Sequence, residues 1–377
     1  MVKLLSPMTD NRKRSIRALS LKLTLACSPY LSTGLIAPLI AAAVFVTSEF
    51  KAMAEPGQNV GIAGNSKKVA LMSAKDIGKT KSKDKTNEQI HIDSAASKPG
   101  KTTRETVAID GRERQYFQHI SSRYNNAKPT AVMLVFNGWG NKRGQGNSKA
   151  GAEGTEQFTG LSEKADKENF IVVYLDGYQK NEYSWNNGQW FFSKENDLEF
   201  TNRVIEVLKH SFNIDKERLY LVGYSQGASF AHRFATTFPE KIAAVASVGG
   251  WITGKEQKPT CSPYSCIEIH SASDPTVPLD GRSWWLKMKP QEELKKFYRA
   301  IDGMDSEPQR ITTKAPDGSE IKTEISKCKA NGTEFRYITI DNIGHKWFGG
   351  KGAESAAINA TDTIWDFLKD KKKPVKA

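Results

Sequence analysis

Short apolar runs alternate with longer stretches of helical periodicity from about residue 106 to residue 369. The apolar runs are rich in Val, Ile, Leu and Phe, which predicts buried strands at 131–136, 170–174, 219–222, 243–248, 266–269 and 335–340. The stretches between them predict helices near 155–168, 195–212, 226–238, 290–302 and 354–369. Because strands without a polar face must be covered on both sides, this alternation predicts a mostly parallel sheet with helices on both faces, an α/β fold.

The patterned region begins with a predicted hairpin. Asp110-Gly111 is a strong turn signal between two further strand candidates, 106–110 and 115–120. No internal repeat is visible in the sequence. The economical interpretation is therefore a single folded domain over residues 105–370.

The residues before this domain differ from it in composition. Basic residues at 12–17 precede an apolar run at 34–46, and Ala52-Met53-Ala54 matches a signal-peptide cleavage site. The run is too short for a comfortable membrane span, so we expect export with cleavage after Ala54, and an uncleaved membrane anchor is the alternative. Residues 55–104 are poor in aromatic residues and rich in Lys, Ser, Gly and Asn, which predicts a disordered linker.

The net charge of +13 over 377 residues belongs to the termini. Segments 1–54 and 55–104 each carry an excess of five positive charges, and the tail 371–377 adds four lysines, which leaves the domain close to neutral. Recognition of nucleic acid needs a basic patch on the folded surface, so we expect no nucleic-acid partner. The basic tails are interpreted as solvated, with transient contact to anionic surfaces as the alternative.

Three cysteines would remain after cleavage: Cys261, Cys266 and Cys328. Export permits a disulfide, and Cys261 could pair with Cys266 across a short turn, or Cys328 could pair with either. None of them has the spacing of a metal or redox motif, so we expect no metal site and no cofactor.

The strongest chemical motif is Gly223-Tyr224-Ser225-Gln226-Gly227, which lies between a predicted strand and a predicted helix. Strand, Gly-x-Ser-x-Gly, helix is the pattern of a nucleophile elbow, a tight turn that raises one serine above a parallel sheet. The flanking glycines allow the sharp turn and the close passage of the helix. We therefore predict that Ser225 is a nucleophile.

A serine hydroxyl needs a general base, which is itself oriented by a carboxylate. Of the six histidines, only His345 follows the last predicted strand in a loop, so it is the candidate base. His270 falls inside a strand, and His232 inside a helix. Asp274 follows the strand 266–269 and is the candidate acid, with Asp280 as the runner-up.

The oxyanion of such a reaction needs two backbone donors. We predict the amide of Gln226 as one donor and that of Trp139, in the glycine-rich segment 137–141, as the other. Tryptophans at strand ends suggest an aromatic rim on a cleft. Trp251, Trp347 and Asn137 are the candidate substrate-binding residues.

These motifs resemble the secreted polyhydroxybutyrate depolymerase and feruloyl or acetylxylan esterase-like branch of the α/β-hydrolases. The resemblance covers about residues 105–370 and includes the segments 170–177, 185–186, 196–200, 218–227, 270–278 and 344–347. It implies the α/β-hydrolase fold, the triad Ser225, Asp274 and His345, and an ester substrate. The family usually has His-Gly where this chain has Asn137-Gly138, and Glu199 stands where the family has a glycine.

The sequence thus predicts a secreted serine esterase that acts on a small ester, a polyester or an esterified polysaccharide. A serine exopeptidase or amidase with the same triad is one alternative. A non-catalytic surface-binding homologue is the other, because the segment with Asn137 departs from the family at the oxyanion site.

Overall fold

The computed structural model describes residues 98–141, 151–254, 256, 264–283, 288–301, 303–341, 343–350 and 357–374. The predicted signal segment 1–54, nearly all of the linker 55–104 and Cys261 lie outside these residues. No helix in the described ranges is both long and apolar enough to span a membrane.

A ten-stranded sheet forms the centre of the described structure. The strands in chain order are β1 Lys101–Ile109, β2 Arg112–Ile120, β3 Thr130–Phe136, β4 Gly140–Asn141, β5 Ile171–Leu175, β6 Glu182–Tyr183, β7 Ile214–Tyr224, β8 Ala244–Val248, β9 Ser265–Ser271, β10 Gln309–Lys314, β11 Glu320–Lys327 and β12 Glu334–Ile340. Strands β4 and β6 form a separate two-stranded sheet, and the other ten form the large sheet. The large sheet has the order β1-β2-β5-β3-β7-β8-β9-β12-β11-β10. Its central strands β5, β3, β7, β8, β9 and β12 are parallel, and an antiparallel hairpin closes each edge.

Helices cover both faces of this sheet, and their bounds are α1 Gly151–Thr159, α2 Leu161–Glu168, α3 Asp197–Ser211, α4 Gln226–Thr237, α5 Gln291–Arg299 and α6 Ala360–Leu368. Side chains of α3, α4 and α5 share one core with alternate residues of the central strands, such as Leu134. Side chains of α1, α2 and α6 share a second core with the intervening residues, such as Val135. The predicted α/β-hydrolase fold, a mostly parallel sheet wrapped on both faces, is therefore confirmed.

Some predicted boundaries need correction. Strand β1 begins at Lys101, so the last residues of the predicted linker belong to the sheet. The helix predicted near 155–168 is two helices, because Gly160 adopts a left-handed conformation with φ 63° between them. The hairpin β10–β11 was not predicted, since all residues of β10 are exposed and its pattern is polar.

The basic tail also differs from the prediction over its described part. Lys371 forms an ion pair with Glu334 on β12, 2.8 Å between Nζ and Oε2, and its carbonyl accepts a hydrogen bond from the Tyr220 hydroxyl. The amide of Lys373 donates to the carbonyl of Glu217. Residues 371–373 therefore lie against the domain.

Candidate active site

The parallel strands direct the predicted site residues to one edge of the sheet. Segments that follow β3, β7, β8, β9 and β12 carry Trp139, Ser225, Gly249, Asp274 and His345, respectively. Because the carboxyl ends of neighbouring parallel strands lie side by side, these segments meet above the centre of the sheet.

Ser225 has backbone angles that residues other than glycine rarely adopt, with φ 55° and ψ −122°. Gly223 touches the backbone of Ala228, and Gly227 touches the carbonyl of Phe136 at the end of β3, so a side chain would not fit at either glycine. The amide of Ser225 donates to the carbonyl of Val248 at 2.9 Å, which fixes the turn to β8. The strain at Ser225 is thus maintained by close backbone packing on both sides.

Three of the predicted side chains form a continuous hydrogen-bonded row. His345 Nε2 lies 2.9 Å from Ser225 Oγ, and His345 Nδ1 lies 2.6 Å from Asp274 Oδ2. An ionised carboxylate only accepts hydrogen bonds, so Nδ1 carries a proton and donates a hydrogen bond to Asp274. Nε2 is then free to accept the hydroxyl proton of Ser225, which is the arrangement needed for nucleophilic activation.

The carboxylate of Asp274 is buried, and both of its oxygens accept hydrogen bonds. Its Oδ1 accepts hydrogen bonds from the amides of Thr276 and Val277, both at 2.8 Å. Burial by itself would raise the pKa of Asp274, but the hydrogen bond and charge of His345, the charge of His270 and the Val277 amide outweigh it and lower that pKa. Asp274 is therefore held ionised and oriented.

The runner-up acid, Asp280, lies in an exposed turn. Its Oδ1 accepts a hydrogen bond from the amide of Arg282 at 2.9 Å, and its Oδ2 is 3.0 Å from the guanidinium of the same residue. This is the Asx-type contact of a surface turn. The structure therefore brings Asp274, and not Asp280, to His345.

The His345 ring is positioned by its neighbours as well as by hydrogen bonds. Tyr224 stacks on it with 5.2 Å between ring centroids and 27° between planes. The Tyr224 hydroxyl also donates to the backbone carbonyl of His345 at 3.1 Å. Gly249, with φ +60°, approaches the ring so closely that an added Cβ would lie 3.1 Å from Cε1.

Gln226 and Trp139, the predicted oxyanion donors, both lie in segments that adjoin Ser225. Gln226 is the first residue of α4, where amides have no partner within the helix. Trp139 follows Gly138, and a Cβ added at Gly138 would lie 3.4 Å from Cβ of Ser225. The side-chain amide of Gln226 is fully engaged, since it accepts from the Trp185 amide and donates to the Trp185 carbonyl.

Asn137, a predicted substrate-binding residue, instead holds neighbouring backbone segments together through hydrogen bonds. It is 2% exposed, its Oδ1 accepts from the amide of Gly177 at 3.0 Å, and its Nδ2 donates to the carbonyl of Gly138 at 2.7 Å. Its backbone carbonyl accepts from the indole of Trp185 at 2.9 Å. The polar atoms of this side chain therefore hold the segment that carries Trp139, which corrects the expectation of a substrate contact.

The two predicted tryptophans are also buried. Trp347 is 4% exposed, packs against Phe158 and donates its indole N–H to Thr361 at 3.0 Å. Trp251 is 2% exposed and donates to Gln189 at 3.2 Å. We correct both predictions, because these indoles support the segments around the site rather than present a surface to a ligand.

An aromatic row that the prediction missed leads from the site to solvent. Trp190 is 69% exposed and makes an edge contact with Phe191, which contacts Phe192, which in turn lies beside Trp139. Trp251 and Val277 pack behind Phe192 in the same cluster. The sequence signal was the consecutive Trp-Phe-Phe at 190–192, which the predicted pattern left between elements.

A buried polar cluster behind Asp274 was missed as well. Glu268 and His270 on β9 are both fully buried, and Glu268 also faces His232 on α4. As expected from their positions inside a strand and a helix, His270 and His232 are not the histidine that hydrogen-bonds Ser225, which is His345. The available signal was the pair Glu268 and His270, two ionisable residues two positions apart in a predicted buried strand, which places them on the same face of it.

The cysteines and possible metal ligands have simple placements. Cys266 is a free thiol buried in β9, and a pairing with Cys261 lies outside the described residues. Burial raises the pKa of this thiol well above its ordinary value. Within the described ranges, no group of three His, Cys, Asp or Glu side chains is arranged to hold a metal ion.

Comparison with known proteins agrees with this architecture. Residues 161–299 match the phospholipase/carboxylesterase family model. The putative esterase NocK of Nocardia uniformis is 28% identical over 71% of this chain and 82% of its own length. The probable feruloyl esterase C of Aspergillus flavus is 26% identical over 45% of this chain, which spans 58% of that relative.

A solved acetyl xylan esterase from Aspergillus awamori superposes with a TM-score of 0.46 and 14% identity, over 71% of this chain and 99% of that one. The sheet order and the strand–serine–helix turn are those of the α/β-hydrolase fold, and the similar sequences are esterases, so the chain is a carboxylic ester hydrolase with this fold.

Proposed function

We propose that the chain hydrolyses esters through an acyl-enzyme on Ser225, with His345 as general base and Asp274 as the residue that orients it. The observation that carries this proposal is the row from Ser225 Oγ to His345 to Asp274, with contacts of 2.9 and 2.6 Å. These distances lie within the hydrogen-bond range that such proton transfers need.

In the proposed reaction, His345 Nε2 takes the hydroxyl proton while Ser225 Oγ attacks the ester carbonyl carbon. The C–O bond to the alcohol breaks, and the alcohol leaves with the proton from Nε2. Water then attacks the acyl carbon, gives a proton to Nε2, and releases the acid as the proton returns to Ser225. The amides of Gln226 and Trp139 stabilise the negative oxygen of both tetrahedral intermediates.

The aromatic row supports a proposal about the acyl group. Trp190 is exposed and Phe191 half-buried at the outer end of this row, and Phe192 is buried between Phe191 and Trp139, whose amide is a proposed oxyanion donor. The partly exposed rings of Trp190 and Phe191 offer an aromatic or extended apolar group a surface to pack against. A feruloyl ester, in which the acid is an aromatic ring on a short chain, fits this row, and a relative carries that activity in its name. Polyhydroxybutyrate and acetylated polysaccharide are the competing substrate classes.

The proposed place of action is outside the cytoplasm, as a secreted protein. The support is the basic segment, apolar run and Ala52-Met53-Ala54 of the N-terminus. Expression of the full chain in a secreting host, followed by N-terminal sequencing of the exported protein, tests this. A mature N-terminus at Glu55 is expected, and retention of residues 1–54 in the membrane fraction would favour the anchor.

The proposed chemistry is tested with Ser225→Ala and the matched surface variant Ser211→Ala. We expect Ser225→Ala to lose at least about 10⁴-fold in kcat on a chromogenic short-chain ester and to lose labelling by a fluorophosphonate, with the circular dichroism unchanged. Ser211→Ala should behave as wild type. Intact protein that neither turns over nor labels would favour a non-catalytic homologue, and faster cleavage of aminoacyl amides than of esters would favour an amidase.

A further inference from the structure

A buried histidine lies directly behind the proposed acid. His270 Nε2 lies 2.7 Å from the carbonyl oxygen of Val277 and 3.7 Å from Asp274 Oδ2. On the other side of the ring, His270 Nδ1 lies 3.3 Å from Glu268 Oε1. The side chains of His270 and Glu268 are both inaccessible to solvent.

The partners of the two ring nitrogens determine the protonation of His270. A backbone carbonyl accepts only, and an ionised carboxylate also accepts only. Each ring nitrogen of His270 must therefore carry a proton for both contacts to be hydrogen bonds. Burial opposes this charge, but the hydrogen bond and charge of Glu268, with the charge of Asp274, raise the pKa of His270 above its ordinary value.

Glu268 is held as the matching anion. Its Oε1 also accepts from the amide of Gly250 at 3.2 Å, and its Oε2 lies 3.5 Å from His232 Nε2. Burial alone would raise the pKa of Glu268, yet the adjacent imidazoles of His232 and His270 lower it. The titratable groups on the elements around this pair are Cys266 on β9, Asp274 after it, His232 on α4, Tyr298 on α5 and Tyr337 on β12.

His270 and Glu268 form hydrogen bonds to the two backbone segments that lie beside His345. His270 bonds the carbonyl of Val277, whose amide bonds Asp274 Oδ1. Glu268 bonds the amide of Gly250, which follows the Gly249 that lies against the His345 ring. One buried ion pair therefore connects to the acid on one side and to the backbone beside the base on the other.

We infer that His270 is a positioning residue of the esterase reaction: a buried imidazolium, held by Glu268, that fixes the Asp274–Val277 turn and places a positive charge behind Asp274. This rests on the function proposed for Ser225, His345 and Asp274. The nearby positive charge makes protonation of His345 less favourable, so it extends activity toward lower pH.

The kinetic test compares wild type with His270→Gln, Glu268→Gln, the double variant and His119→Gln. His119 is a matched control, because it is also a buried histidine beside a carboxylate, Asp166, but lies on β2. We expect both single variants to move the acid-side midpoint of the kcat/KM profile upward by at least about half a pH unit. The midpoint for the double variant should move no further than that of the larger single variant, because either single substitution already removes the ion pair of His270 and Glu268.

In these variants kcat should fall while KM stays within about twofold, since His270 is placed behind Asp274 rather than against the substrate. His119→Gln should keep the wild-type profile. A wild-type profile in His270→Gln, or shifts that add in the double variant, would overturn the inference.

A second measurement is independent of activity. In a spectrum of ¹⁵N-histidine-labelled wild type at neutral pH, one histidine should show both ring nitrogens protonated, and Glu268→Gln should convert that signal to a neutral ring. A neutral His270 in wild type would refute the inference even if His270→Gln does not fold. Failure of the proposed function looks different: wild type would not react with ester or fluorophosphonate, whatever the state of His270.

Discussion

The Oγ atom of Ser225 and the Nε2 atom of His345 lie 2.9 Å apart, although 120 positions separate the two residues in the chain. Ser225 is fixed by a strained turn at the end of β7, and His345 by stacking on Tyr224 and by the close approach of Gly249. The contact therefore depends on the packing of neighbouring strands as much as on either side chain. Residues that shape this packing should affect activity as strongly as those that touch the substrate.

Replacement of Asp274 by Asn should separate its role from that of Asp280. An amide at 274 would donate to His345 Nδ1 and force the proton onto Nε2, so kcat should fall by about 10³- to 10⁴-fold with little change in KM. Steady-state kinetics with a chromogenic ester measures this. Asp280→Asn is the control and should retain wild-type kcat; the reverse result would assign the acid to Asp280.

Replacement of Gly227 by Ala should destabilise the elbow itself. An added methyl group would press against the carbonyls of Phe136 and Asn137, which are backbone atoms and cannot move aside without displacing β3. We expect a loss of more than about 3 kcal/mol in the free energy of unfolding, measured by urea denaturation. Gly140→Ala, where the added methyl group meets open space, should cost less than about 1 kcal/mol. Equal stability of the two variants would contradict the packing described here.

Replacement of Trp190 by Ala should affect substrate preference without affecting chemistry. The indole is 69% exposed at the outer end of the aromatic row, so its loss should leave the melting temperature and turnover of an acetyl ester unchanged. The KM for a feruloyl ester should rise by about 5- to 20-fold, because a stacking contact worth about 1 kcal/mol or more is removed. Ile311→Ala, which removes an exposed apolar side chain from β10, is the control. An unchanged KM in Trp190→Ala would argue against the proposed acyl site.

Replacement of Asp176 by Asn should change how stability depends on pH. Burial raises the pKa of Asp176 to about 6, although the amide of Ala152 and the side chain of Gln115 donate to it. The folded state then binds a proton that the unfolded state has released, so this group makes the protein less stable as pH rises from about 4 to 6. The variant lacks this loss, and its stability relative to wild type should increase by up to about 3 kcal/mol between pH 4 and pH 7.

Denaturation at several pH values tests this prediction, with Asp166→Asn as a control of opposite sign. Hydrogen bonds from Ser122 and His119 outweigh burial and lower the pKa of Asp166, so its stabilising effect is present at neutral pH and lost as pH falls. Asp166→Asn should therefore lose stability at pH 7 relative to pH 4. Parallel curves for wild type and Asp176→Asn would contradict the shifted pKa.

The central strands were predictable because each is buried on both faces and therefore carries an uninterrupted apolar run, as in β3 and β5. The outer hairpin β10–β11 was not, because an exposed edge strand such as Gln309–Lys314 needs no apolar pattern to pair. Burial also misled the choice of ligand-facing residues. Trp251 and Trp347 follow strands at the correct edge of the sheet, but an indole at such a position can turn inward to fill the space beneath the segment.

The sequence by itself determined the elbow at Ser225, because glycines at 223 and 227 between a strand pattern and a helix pattern allow a sharp turn and a close helix. It also determined the order along the chain of the central strands and the helices between them, through their burial on one or both faces. Only the tertiary structure decided that Asp274 rather than Asp280 meets His345, and that Glu268 and His270 form an ion pair behind them. Those contacts join residues from different strands and loops. Their distances depend on how the strands pack, and a local sequence pattern does not contain that information.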